Sequence, residues 1–544
     1  MPDMTGGEAV VQTLLAHGIS TLYCLPGIQN DAFFNALYDA GNAIRAVHTR
    51  HEQGAAYMAL GAAQATGKPA VYSVVPGPGF LNTTAALSTA YATNAPVFCL
   101  TGQIASKAIG RGTGLLHELP DQLGIVERLT KWARRADSVA AAPGLVAAAF
   151  QQLASGRPRP VGLEVPPDIL AGHGTAEIAM PLAPLPATPL DEAAIEEAAA
   201  LLGKAETPLI FVGGGAIDAG PALKALAERL GAPVVANRMG RGALDDRHPL
   251  SQSLTGAHAL WRDCDVALAV GTRMLQPLST WGFKPSTKFI KIDIDADEMP
   301  RLRTPDIALA GDAAAILGRL VEHLRGLPET RPDRIARSVA LKEETAKRLA
   351  YLEPQIGFLK AIRAVLPDEG VLVDESTQVG YVTRIAYEVR RPRTLLSAGY
   401  QGTLGWGFAA ALGAKDALGA TPVVSISGDG GFMFNVQELS TAAHHHIPLV
   451  TVVFNDGAYG NVQRMQEELY DHRVIATDLT NPDFVRLGES FGIASARAKT
   501  PDELQKALDK AIASDAPALI EVPCGKMPEP WPHLNLPRVH PAAA

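Results

Sequence analysis

The sequence predicts an α/β protein built from three consecutive doubly wound domains with mainly parallel sheets. Short apolar, β-branched runs alternate with Ala-rich helical stretches along almost the whole chain, the rhythm of sheets wrapped by helices. Two Pro-punctuated polar stretches, Leu182–Thr188 (LAPLPAT) and Leu327–Arg337 (LPETRPDRIAR), cut that rhythm into three blocks. A length of 544 residues allows about three or four domains. The blocks are expected over 1–180, 190–325 and 355–525, followed by an irregular Pro-rich tail over 526–544.

In the first block, strands are expected at Ser20–Cys24, Ile44–His48, Ala70–Val75 and Val97–Thr101. Glu52 opens the helix Glu52–Thr66 (EQGAAYMALGAAQAT), where an acidic first-turn residue complements the helix dipole. Gly77-Pro78-Gly79 ends the third of these strands, and glycine there permits close backbone approach to a ligand. A helix near Leu81–Tyr91 follows. In the second block, strands are expected at Leu209–Val212, Val234–Ala236, Val266–Val270 and Phe289–Ile294. Val212-Gly213-Gly214-Gly215 is only a fragment of a dinucleotide fingerprint.

The third block carries the strongest pattern. After the strand Gly370–Val373 comes Asp374–Gln378 (DESTQ), whose hydroxyl and amide groups suit phosphate oxygens. Leu404 stands alone among glycines in Gly402–Gly407 (GTLGWG). The apolar runs Thr421–Ser427 (TPVVSIS) and Ile447–Phe454 (IPLVTVVF) end in Gly428-Asp429-Gly430-Gly431 and Asn455-Asp456-Gly457. Between them, Asn435–His446 (NVQELSTAAHHH) reads as a short helix with Asn435 as its N-cap. Strand, helix and strand make a crossover, so the two strands should be parallel neighbours. Asp429 and Asn455 then emerge at one carboxyl edge, where open α/β sheets bind ligands. A carboxylate, an amide oxygen and exposed Gly-rich backbone suit Mg²⁺, a hard cation that takes further ligands from phosphates. The run His444-His445-His446 is not expected to hold a metal, because consecutive helix positions point about 100° apart.

Composition excludes several classes. Hydrophobic residues make up 47% and charged residues 19%, which fits a globular protein with several cores. A net charge of −8 without a basic block argues against nucleic acid. No apolar run approaches a membrane span, and the N-terminus lacks the layout of a signal peptide. Cys24, Cys99, Cys264 and Cys524 form no CxxC pair and are expected to be reduced, as in a cytoplasmic protein.

The paired strings resemble the signature of thiamine-diphosphate (ThDP) enzymes. The three-block chain as a whole resembles the ThDP-dependent 2-oxo-acid decarboxylase and acetolactate synthase superfamily. MTGGEAVVQTLLAHG, TRHEQGAAYMA and TKWARRA look most like acetolactate synthase and benzaldehyde lyase, and GPGFLN also resembles oxalyl-CoA decarboxylase. The resemblance names the blocks as pyrimidine-binding, middle and diphosphate-binding domains. It implies that Asp429, Asn455 and the Gly457 carbonyl hold Mg²⁺, which clamps the diphosphate. It implies that Glu52 bonds the aminopyrimidine and helps form the imino tautomer that takes the C2 proton, giving the ylide that attacks a carbonyl. Leu404 would prop the cofactor in a bent shape, and the Gly402 carbonyl would accept from its amine. Thr377, Gln378, Gly428, Gly430, Gly431, Tyr459 and Gly460 would cradle the diphosphate, with Gly77 near cofactor and substrate. His117 stands where acetolactate synthase and benzaldehyde lyase carry Gln, and a His there can shuttle protons near neutral pH.

The same resemblance brings departures. Pro277 replaces an Arg near the active-site entrance of acetolactate synthase, and Met465 roughly replaces the Trp of the acceptor pocket. Pro76 stands near the catalytic His of benzoylformate decarboxylase, and the paired His of pyruvate decarboxylase is absent. Gly271-Thr272-Arg273 and Asp293-Ile294-Asp295 resemble positions that line an FAD or ADP site, but a silent middle domain is the stronger expectation. The expected activity is therefore decarboxylation and carboligation of 2-oxo acids, or acyloin cleavage and formation. An oxalyl-CoA-decarboxylase-like lyase, a true acetolactate synthase and a non-catalytic ThDP- or nucleotide-binding regulator stand as alternatives. A homodimer or homotetramer with shared active sites is implied, with small carbonyl compounds as the substrates.

Overall fold

The computed structural model describes residues 2–328 and 330–540. Residue 329 of the second polar stretch and residues 541–544 of the tail lie outside the described residues. The first sheet contains β2 (Thr21–Cys24), β3 (Arg45–His48), β4 (Ala70–Val74), β5 (Val97–Gly102), β6 (Trp132–Arg135) and β7 (Val161–Val165), after a short β1 (Asp3–Thr5) that pairs antiparallel with β8 (His173–Thr175). The second contains β9 (Leu209–Val212), β10 (Val234–Ala236), β11 (Ser251–Gln252), β12 (Val266–Val270), β13 (Lys288–Asp293) and β14 (Ile307–Ala310). The third contains β15 (Val371–Asp374), β16 (Leu395–Leu396), β17 (Val423–Gly428), β18 (Val450–Asn455), β19 (Ala494–Arg497) and β20 (Ala518–Pro523).

All three six-stranded sheets are parallel. The first runs β3-β2-β4-β5-β7-β6 and the third β16-β15-β17-β18-β20-β19, the same winding in both. The second runs β11-β10-β9-β12-β13-β14, in which three strands wind one way and three the other. The strand order reverses between β2 and β4, and between β15 and β17, so crevices open beyond the carboxyl ends of those strands. Every loop singled out in the first and third blocks leaves its sheet at that edge.

The first and third sheets are joined through two helices, Glu52–Thr66 and Trp406–Leu418, which share one apolar core. Both are small-residue helices (EQGAAYMALGAAQAT and WGFAAALGAKDAL) buried on nearly all sides. A Cβ on Gly61 would collide with the Ala410 carbonyl, and one on Gly413 with the Met58 carbonyl. The two backbones therefore touch at reciprocal glycines. Tyr23 Oη donates to Asp416 (3.0 Å), and Arg45 pairs with the same carboxylate (2.5 Å).

Three local readings are corrected by tertiary contacts. The stretch after Asn435 is a 3₁₀ turn, Val436–Glu438, followed by a helix of only six residues, Leu439–His444. Asn435 does not cap it, because its amide donates to the Gly405 carbonyl (2.5 Å). The stretch after Gly77 is two helices, Pro78–Leu81 and Thr84–Thr93. The histidine run splits: the helix ends at His444 with His445 as its C-cap, both of these rings lie against His48, and His446 has a left-handed backbone (φ 51).

The tail is tied down. Beyond β20 it runs past the third sheet, forms the turn Trp531–Leu534 and crosses to the middle domain, where Leu536 packs with Trp261 and Trp281. Among the described residues no helix is long and apolar enough to cross a membrane.

Candidate active site

In the third domain, β17 and β18 pair with Gly428 opposite Phe454, which sets Asp429 and Asn455 side by side at the carboxyl edge. Asp429 is buried, and its Oδ2 accepts from Gly457 N (2.9 Å) and Asn481 Nδ2 (2.5 Å). The same Asn481 amide donates to Asn455 Oδ1 (3.0 Å), so the two oxygens lie close enough to share one donor. Asn455 Nδ2 donates to Glu521 (2.9 Å), which aims its oxygen toward Asp429. Gly457 adopts φ 70, a left-handed turn that glycine makes without strain. Burial, then the Asp429 charge, pushes the Asp456 carboxyl up to about 6. The two cations lining the adjoining cleft, Arg464 and Lys526, pair instead with Glu468 and Glu467. Neighbouring amide and carboxylate oxygens, with buried Asp429 and half-buried Asp456 lacking a cationic partner among the described residues, are the donor set a hard divalent cation takes. Asn481 had no sequence signal beyond its residue type.

The cleft beside this edge is lined by Thr377, Gln378, Gly402, Leu404, Gly428, Asp429, Gly430, Gly431, Tyr459 and Gly460. Asn455 and Gly457 stand behind it, joined through Asp429. Thr377 caps the helix Gln378–Ala386 by accepting from Gly380 N (2.7 Å). Gln378 donates to Asp456 (2.9 Å) and the Gly525 carbonyl (3.0 Å), and accepts from Met527 N (2.7 Å). It thereby ties the tail to the cleft wall, where Trp531 lies against Tyr381 (4.7 Å between rings). Gly430 has no room for a side chain, since a Cβ would stand 2.7 Å from the Tyr459 ring.

Glu375, a carboxylate within the DESTQ stretch, is a buried wedge. It accepts from Gly405 N, and a Cβ on Gly431 or Gly407 would stand 2.5 or 2.9 Å from its carboxylate. It thus fixes the spacing between the Leu404 loop and the Asp429 turn. Burial pushes its carboxyl up to about 7.

In the first domain, Glu52 is the first residue of its helix, and His51 caps the helix by accepting from Gln53 N (3.1 Å). Glu52 Oε2 accepts from Asn82 (2.9 Å), and Gly79 lies against the same carboxylate. Gly77 adopts φ 62, and a Cβ there would meet the His117 carbonyl at 2.5 Å. The His117 ring is held by Gln29 (3.0 Å), whose amide also donates to Leu116 O (3.1 Å). Gly77 N donates to buried Gln122 (2.8 Å), which donates to buried Glu164 (2.9 Å). Glu52, Gly77 and His117 thus share one edge. Gln29, Gln122 and Glu164 position His117 and Gly77 and gave no local sequence signal.

Among the described residues, none before Ser376 lines the third-domain cleft, and Thr89 of the first domain meets Thr403 of the Leu404 loop (2.9 Å). Buried Glu438 also links the segments by accepting from Arg50 N and His51 N (3.1 Å each). In the middle domain, Gly213 and Gly215 pack directly on Gly271, and Arg273 forms a bidentate pair with Glu298 (3.0 Å each).

Glu375 yields a pH test. Its folded pKa is raised, so the stability of the neutral form is full below about pH 4.5 and is lost as pH rises through about 7. Glu375→Gln stays neutral throughout. Wild type should therefore lose stability relative to the variant between these limits, by on the order of a few kcal/mol. Thermal unfolding across a pH series reads this, and parallel curves would show that Glu375 does not titrate in that window.

Comparison with known proteins gives the family. Three thiamine pyrophosphate enzyme domain models match in order: the N-terminal TPP binding domain over residues 4–125, the central domain over 195–320 and the C-terminal TPP binding domain over 376–522. A probable acetolactate synthase large subunit of Methanocaldococcus jannaschii is 33% identical, covering 95% of this chain and 92% of its own length. A probable 2-ketoarginine decarboxylase of Pseudomonas aeruginosa is 34% identical over 95% and 94%. The acetolactate synthase isozyme 2 large subunit of Escherichia coli is 34% identical over 97% of each chain. With two cofactor-binding domains and a central one matched along full-length relatives, the chain belongs to the thiamine-diphosphate-dependent, acetolactate-synthase-like enzyme superfamily, whose members act as carboligases and decarboxylases.

Proposed function

We propose that this enzyme uses Mg²⁺ with ThDP to make or break a C–C bond next to a carbonyl, acting on 2-oxo acids or acyloins. The observation that carries the metal is that Asp429 Oδ2 and Asn455 Oδ1 lie close enough to share the one Asn481 amide, with the half-buried Asp456 carboxylate beside them. Asp429, Asn455 and the Gly457 carbonyl would hold Mg²⁺. Thr377, Gln378, Gly428, Gly430, Gly431, Tyr459 and Gly460 would surround the diphosphate, and Gly402 and Leu404 would seat the rings. Bound ThDP supplies the carbon nucleophile that adds to a carbonyl carbon and accepts its electrons. Glu52 would hold the proton exchanged with the pyrimidine ring, with Asn82 fixing the carboxylate. His117, oriented by Gln29 and adjoining Gly77, would move a proton at the substrate oxygen.

The assembly we propose is a homodimer or homotetramer with shared sites. Its support is that, among the described residues, none of the first domain, Glu52 included, lines the Asp429 cleft. The free thiols of all four cysteines fit a reducing compartment, which supports the cytoplasm.

On substrates, an apolar Pro277, buried at the start of the π-helical turn Pro277–Trp281, offers no partner to a second carboxylate. Met465 makes a softer wall than Trp. Both support an uncharged acceptor such as an aldehyde. The names of the relatives support a second reading, plain acetolactate synthesis.

Three experiments test these readings. ThDP should bind tightly with Mg²⁺ and weakly with EDTA in calorimetry, and equal affinity in both would remove the metal clamp. Mixing Glu52→Gln with Asp429→Ala chains should restore about a quarter of wild-type activity under random exchange, because half the dimers carry one intact site. No recovery despite proven exchange counts against shared sites. Product analysis by mass spectrometry should show acyloin formation from pyruvate plus an aldehyde outpacing acetolactate from pyruvate alone, and the reverse ratio selects the second reading.

A further inference from the structure

We propose that His48, His444 and His445 form a binding site for a borderline divalent transition ion, with Zn²⁺ as the ion that best suits its donors. One ligand nitrogen from each of the three lies within 4.8 Å of the others. The ring centroids are 4.7 Å apart for His48 and His444, 4.8 Å for His48 and His445, and 4.7 Å for His444 and His445. Tetrahedral Zn²⁺, with Zn–N distances of about 2.0–2.1 Å, needs nitrogens roughly 3.4 Å apart. Small rotations of these rings, two of which are exposed, close that difference.

A second observation concerns the second nitrogen of one ring. His445 Nε2 lies 3.1 Å from the His48 carbonyl oxygen, an acceptor only, so Nε2 carries the proton and donates. Nδ1 is then left with its lone pair. Metal-ligating histidines are held in this way, one ring nitrogen donating to a carbonyl while the other faces the ion. The donor set is all imidazole, which suits Zn²⁺ and its neighbours and not Mg²⁺ or Ca²⁺, which take oxygen. The site is therefore chemically distinct from the one at Asp429. Three protein ligands leave a fourth position for water.

The placement gives the ion a structural task. His48 ends β3 of the first domain, and His444 and His445 end the helix Leu439–His444 of the third. Glu438 already joins these segments through Arg50 N and His51 N. A bound ion would add a second link four residues ahead of Glu52, at the joint that sets the start of its helix.

The test uses the full chain in excess Mg²⁺, so that oxygen sites are filled, and titrates Zn²⁺ by calorimetry. Wild type should bind one tight Zn²⁺ per chain that is lost in His48→Gln and in His444→Gln. Zn²⁺ should also raise the unfolding temperature of wild type and not of either variant. Co²⁺ in place of Zn²⁺ should give the visible bands of a tetrahedral site, absent from the variants. His444 is exposed, so its variant keeps the test open if His48→Gln folds poorly. Equal Zn²⁺ stoichiometry and affinity in wild type and folded variants would overturn the site and leave the three rings as simple edge-to-face packing.

Discussion

The reciprocal contact of Gly61 with Ala410 and Gly413 with Met58 is the constraint on which the rest depends. Two helices in backbone contact cannot slide or rotate without a side chain meeting a carbonyl, and overpacking there costs about 1–3 kcal/mol or more. The helix Glu52–Thr66 begins with the first domain's candidate acid–base residue. The helix Trp406–Leu418 begins just after Leu404. Locking one against the other fixes the orientation of the first sheet's edge relative to the third. In both helices small residues serve this approach and large ones would prevent it, which is why both look weakly patterned for buried helices.

Around that joint the protein uses buried carboxylates to hold backbone. Glu375 takes Gly405 N, Glu438 takes Arg50 N and His51 N, and Glu164 acts through Gln122 on Gly77 N. Burial raises the pKa of all three. Each therefore carries a desolvation cost that only fixed donors offset. The gain is position: each donor belongs to a loop at a carboxyl edge, where small shifts would move a cofactor-facing group. The same economy appears in Asn481, whose single amide reaches both Asp429 and Asn455.

The three residues that the resemblance marks as departures sit away from this frame. Pro277, Met465 and His117 lie on a π-helical turn, a helix beside the cleft and a loop over Gly77, none of them in the shared core. The middle domain shows a related economy: its strand-end glycines pack on one another and Arg273 is held by Glu298.

The sequence alone determined what depends on near neighbours. Alternation and turn chemistry located most strands of the three sheets, the helix Glu52–Thr66, and the parallel pair that sets Asp429 beside Asn455, because each follows from contacts within a few residues or one crossover. Tertiary structure decided what depends on distant partners. Asn435 bonds Gly405 and does not cap, Glu375 holds a glycine thirty residues on, and Glu438 binds amides 388 and 387 residues away. His48 meets His444 and His445 only because the helix stops where the two domains join. Gln29, Gln122 and Asn481 were invisible for the same reason: an isolated amide carries no period or spacing, and its role exists only once the fold supplies the groups it must satisfy.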